Sequence, residues 1–145
     1  KPLTNMPTFD CILIFGGLHH CVSDLGTTLL NIADMLEPGG VLLFFEPNSQ
    51  YILEGARKIW YKHDRYFEEN SEAALNHSEM LASTNGRFRI NSINYMGGIA
   101  FYLIYNSLIF RIPVSMKKYI APPLFALERL MSYSPGKFLY SSFIG

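Results

Sequence analysis

The tightest constraint on this chain is the order of residues within 8–48, TFDCILIFGGLHHCVSDLGTTLLNIADMLEPGGVLLFFEPN. Two runs, 11–15 and 41–45, are apolar without alternation. That pattern predicts strands covered on both faces, as in a parallel sheet. After the first run, Gly16-Gly17 lets the backbone leave the sheet sharply, and Ser23 or Asp24 can cap a helix. Leu25, Leu29, Ile32, Ala33 and Leu36 then recur at helical spacing and give it one buried face. Pro38-Gly39-Gly40 ends that helix before the second run. The prediction is one right-handed βαβ unit with polar residues at both strand ends, where open α/β sheets keep their chemistry.

With 145 residues the chain holds one domain or part of one. Apolar residues make up 49% and charged residues 17%, which excludes a disordered chain. Formal net charge is zero without a basic run, so a nucleic-acid partner is not indicated. Cys11 and Cys21 are expected to be reduced thiols in a cytoplasmic protein, because a disulfide framework needs more cysteines. Residues 1–8 are polar and Pro-bearing, unlike a secretory signal. The longest near-apolar run, 97–110, is interrupted by Asn106 and Ser107 and falls short of the roughly 20 residues of a spanning helix. Opening on Lys1 and closing without a polar tail, the chain reads as cut at both ends.

Beyond residue 48, 49–67 predicts an aromatic-rich helix carrying Tyr51, Trp60, Tyr61, Tyr66 and Phe67. A second helix is expected over 71–83, capped by Asn70 or Ser71. Asn85-Gly86 marks a turn, and the alternation of 87–91 predicts a strand near a sheet edge, with a bulge near Ile93 and Tyr95. The apolar segment from Gly97-Gly98 reads as mostly helical, and Pro113, Pro122 and Pro123 punctuate the stretch after it. Residues 124–131 are expected to be helical, Ser134-Pro135-Gly136 a turn, and 138–144 a last strand. The expected class is α/β: parallel strands plus a closing antiparallel hairpin, with helical insertions. Its parts are a βαβ core (8–48), a helical lid (49–84) and closing strands with inserted helices (87–145).

Phe9-Asp10, the apolar strand, Leu18-His19-His20, a helix, Leu36-Glu37-Pro38-Gly39-Gly40 and Glu46-Pro47-Asn48 together resemble the second half of class I S-adenosylmethionine-dependent methyltransferases. The resemblance implies a Rossmann-like sheet in which the two parallel strands are the fourth and fifth, and 87–95 and 138–144 the antiparallel closing pair. It implies S-adenosyl-L-methionine as cofactor, bordered by Phe15, Gly16, Gly17, Leu18 and His19. A small, rather apolar acceptor would be bordered by Glu46, Asn48, Tyr51, Trp60 and His63. His19 or His20 would act as base, since an unperturbed imidazole titrates near about 6.5. The family's glycine-rich loop and the acidic residue ending its second strand have no counterpart here. The chain is therefore expected to be the C-terminal part of such a domain, inactive alone. In the family's strand order its first strand would be left as a long apolar edge, needing the missing half or a partner chain to cover it.

Each constellation has a plainer reading. His19, His20, Cys21 and Asp24 do not converge easily on one tetrahedral ion, so no metal site is expected. Asp10 is a strand-entry residue. Glu46 and Asn48 either bind an acceptor or brace loops, and the aromatics of 49–67 either lid a pocket or fill a core. Residues 98–118, with Arg111, Lys117 and Lys118, lie either on a membrane surface or buried under the closing strands. No Gly-x-Ser-x-Gly elbow, Walker loop or Cys-x-x-Cys pair is present. The alternatives to a methyltransferase are a non-catalytic interaction module and a peripheral membrane protein.

Overall fold

The computed structural model describes residues 7–61, 72–105, 112–131, 133 and 136–145. At its centre is the βαβ unit: β1 (Phe9–Phe15), α1 (Leu25–Met35) and β2 (Leu36–Pro47). The strands run parallel, with Cys11 opposite Val41 and Phe15 opposite Phe45. Two short strands complete the sheet, β3 (Asn94–Met96) and β4 (Ser142–Ile144). β4 pairs antiparallel with both β2 and β3, so the order is β1-β2-β4-β3. The fold is thus α/β with a four-stranded mixed sheet, and among the described residues β1 is an edge strand.

Alternation along the strands turns Ile12, Ile14, Leu42 and Phe44 toward Leu18, Leu29 and Ile32. Phe143 of β4 is fully buried here and meets Phe44 edge-on, ring centroids 5.8 Å apart. Such a pair contributes about 1 kcal/mol beyond its buried area. The opposite face differs from expectation. Cys11, Leu13, Phe15, Val41 and Leu43 are exposed there, Leu13 and Phe15 at 70% and 75%. The apolar runs predict cover on both faces, and among the described residues one is covered. A single crossover places α1 on one side of the strand pair only.

Other elements depart from the sequence prediction for local reasons. α1 stops at Met35, and residues 37–40 loop out of β2 between the Phe9–Leu36 and Cys11–Val41 pairs. Gly40 is required there, because a Cβ would lie 2.9 Å from the Glu37 carbonyl oxygen. Asp24 sits at the N-cap of α1 without a side-chain capping bond; tight turns at Leu18–His20 and Val22–Asp24 lead in instead. In place of a helix from 49, the chain turns first, because Asn48 Oδ1 accepts from the Gln50 amide at 3.0 Å. Helix α2 is Glu54–Tyr61, and residues 62–67 lie outside the described residues.

The helix expected over 71–83 is reduced to α3, His77–Ala82, capped by Asn76, whose side chain accepts from the Ser78 amide. Residues 87–91 form no strand; Arg87 instead pairs with Asp34 of α1 at 2.7 Å. Of 138–144, only Ser142–Ile144 joins the sheet. A π-helical turn occupies Phe101–Tyr105, and 106–111 lie outside the described residues. Helix α4, Val114–Met131, begins earlier than predicted and runs through Pro122 and Pro123. Each proline removes an N–H, the ones that would serve the carbonyls of Lys118 and Tyr119.

Candidate functional site at the strand ends

Gly16 closes β1 with φ at +62°, a conformation that costs glycine little, and its amide donates to Phe45 O at 2.8 Å. The chain then crosses the end of β2 and finds Glu46. Alternation places Glu46 on the same covered face as Phe44, directly under this loop. One carboxylate oxygen accepts from the Gly17 amide at 3.0 Å and the Leu18 amide at 2.7 Å. The other accepts from the His19 amide at 3.2 Å and lies 2.8 Å from His19 Nδ1. Glu46 is 0% exposed. A carboxylate taken from water at such a position is costly unless compensated, and these donors supply the compensation. With Nδ1–H assigned from this network, the neutral ring keeps its lone pair on Nε2. The imidazole remains 23% exposed.

His20 has a carboxylate as well: its Nδ1 lies 2.9 Å from Glu72 Oε1, and its ring sits 4.0 Å from that of His19. Residues 72–75 form a strap over the strand ends. Ala73 donates to His19 O at 3.1 Å, Leu75 to Pro47 O at 2.9 Å, and Ser49 donates back to Leu75 O at 2.9 Å. These bonds explain why the segment is extended rather than helical.

Asn48 is buried behind this rim. Its Nδ2 donates to Lys137 O and Tyr140 O, both at 2.9 Å, which ties the chain entering β4 to the end of β2. Arg57, also buried, donates to Asn48 O at 3.1 Å and Ser141 O at 3.3 Å and pairs with Glu54. Burial pushes the Glu54 carboxyl above its usual range, against the opposing pull of Arg57.

The structure brings together Gly16, Gly17, His19, His20 and Glu46 at one rim; Phe15 shares the strand end by its backbone, but its ring stacks on Phe45 on the opposite, open face, centroids 4.6 Å apart. Leu18 contributes its amide there, while its side chain belongs to the core. Tyr51 is buried beyond the rim, at the turn after Asn48. Trp60 is placed on α2 by its backbone, with its side chain outside the described set; His63 lies outside the described residues altogether. Of the residues not anticipated, Arg57 was detectable from its i, i+3 spacing to Glu54. Glu72 carried no sequence signal, because its partner lies 52 positions earlier in the chain.

A cavity of about 600 Å³ lies elsewhere, under the covered face between α1, β2 and the chain at 84–93. Leu29, Leu36, Phe44, Met80, Phe88 and Ile93 line much of it. No protein-family model matches the chain, and no curated protein matches it.

Proposed function

We propose that this chain forms the acceptor side of an S-adenosylmethionine-dependent methyltransferase domain, with His19 as general base toward a small, apolar acceptor. The observation that carries the reading is the Glu46–His19 pair, a buried carboxylate orienting a partly exposed imidazole at the ends of two parallel strands. The two antiparallel strands that close the sheet lend further support. The residues present fit one flank of the donor. His19 offers a partly exposed ring edge against which the donor's apolar arm can lie, while the Phe15 ring stacks on Phe45 on the other, open face of the sheet. The amides of Gly17, Leu18 and His19 are all given to Glu46, so the donor's own carboxylate must be held by other groups.

When bound, the donor supplies an electrophilic methyl on a sulfonium centre. His19 would take the acceptor's proton on Nε2 as the acceptor's electron pair bonds to that methyl and the methyl–sulfur bond breaks, its electron pair staying on sulfur in the departing S-adenosylhomocysteine. Glu46 keeps the ring in place and offsets the positive charge the ring then carries. The test is calorimetry of the full-length protein with S-adenosylhomocysteine, for which saturable binding is expected. Absence of heat removes the reading. His19→Gln should keep that binding and lower methyl transfer by about 10²–10⁴-fold.

A second reading, a non-catalytic interaction module, is favoured by the face and edge of β1 that are left open among the described residues. There a partner chain, or a complementary part of the same protein, adds to β1, and no donor binds in the calorimetry.

A further inference from the structure

Helix α4 is the most exposed long element among the described residues, with no fully buried side chain. Met116, Tyr119, Pro123, Ala126 and Leu130 recur at alternating three- and four-residue steps and therefore share one face. All five are exposed, and the exposed Leu127 flanks them. The opposite face, with Lys117, Ile120, Leu124, Glu128 and Met131, is half-buried. That face is tied down: Gly98 N donates to Glu128 Oε1 at 2.5 Å, Lys117 Nζ to Ile104 O at 2.6 Å, and Tyr140 Oη to Met131 O at 2.7 Å. The apolar face is thus held outward by its own anchors.

We propose that this outward face of α4 docks in the plane of an anionic lipid surface. Charge decides between occupants. On α4 the exposed charged residues are two cations, Lys118 and Arg129; Lys117 and the helix's one acid, Glu128, are turned inward, to Ile104 O and Gly98 N. Lys118 and Arg129 run along one border of the apolar stripe. Apolar and aromatic side chains bordered by cations suit the boundary between acyl chains and anionic headgroups. A second copy fits worse. A two-fold pairing of α4 would set Lys118 and Arg129 against the same cations, with no outward acid on the helix to answer them. No helix of the described residues is long and apolar enough to cross a membrane, so the contact lies along the surface. This surface is independent of the methyl-transfer reading.

The experiment is flotation of the full-length protein with vesicles of phosphatidylcholine, with and without phosphatidylserine. The protein is expected to float with the anionic vesicles and much less with the neutral ones. Tyr119→Asp with Leu130→Asp should weaken this binding by about tenfold or more at unchanged circular dichroism. Lys118→Glu, at an exposed position, should weaken it by about fivefold. Failure to float with anionic vesicles overturns the proposal, as does binding indifferent to both variants. A dimer detected by light scattering and broken by the same double variant assigns the face to a second copy and overturns it too.

Discussion

On one side of β1 and β2, Ile12, Ile14, Leu42 and Phe44 lie against Leu29 and Ile32 of α1; on the other, Cys11, Leu13, Val41 and Leu43 stand in solvent. Residue type does not separate the two sets, which are both aliphatic or aromatic apart from one thiol. The connection separates them, because the crossover helix can cover one side of the strands and not both. Apolar composition therefore says that a strand is built to be covered twice, while topology says how much of that cover the described residues provide. Among the described residues, the uncovered side is a contiguous apolar surface on an edge strand, the arrangement most prone to unwanted pairing.

That contrast can be broken at several points. The largest effect is expected on the covered side, where Phe143→Ala should destabilise by about 3–5 kcal/mol in chemical denaturation. A loss below about 1 kcal/mol would mean the covered core is not packed as described. Next comes Glu46→Gln, which keeps the shape but sets an amide donor against backbone donors. A loss of about 2–3 kcal/mol is expected by the same measurement. A much smaller loss would show that the strand-end loop does not depend on the carboxylate. On the open side, Leu13→Ala should change stability by less than about 0.5 kcal/mol. A cost comparable with Phe143→Ala would instead reveal that this face is covered in solution. Leu13→Lys should raise solubility at similar stability, read as a higher protein concentration at the onset of light scattering.

The smallest effect concerns His77, which packs beside Phe143 and whose Nδ1 is hydrogen-bonded with Tyr95 Oη at 3.0 Å. Burial, and then the charge of Lys137, holds its pKa below 6.5 in the folded state. Above 6.5 the ring is neutral in both states. As pH falls below 6.5 the unfolded chain takes up the proton first, so stability should decline in that window. His77→Gln should flatten the decline in denaturation midpoints measured across it. An unchanged slope would show that the proton is taken up elsewhere.

The βαβ unit was legible because its signals are local: unbroken apolar runs, helical spacing in 25–36, and glycine at both exits. Both partners of the central pair, His19 and Glu46, stood out as residues at strand ends. Their direct bond did not, since it joins positions 27 apart through the strand register. The strap at 72–75 was hidden for the same reason: its backbone bonds go to His19 and Pro47, and nothing in its residues announces them. The continuous course of α4 through two prolines contradicted local propensity, which predicts a break. Turn chemistry was underweighted at Asn48, whose side chain delays α2.

The Glu46 contacts carry a consequence for how the strands find each other. Parallel strands of plain aliphatic residues can slide past one another at little cost. Sliding by one position would turn this carboxylate to the wrong side, and sliding by two would carry it about 7 Å from the amides awaiting it. Either error strands a charge and four donors, three amides and His19 Nδ1, so Glu46 acts as a proofreading device that accepts a single alignment of β1 with β2.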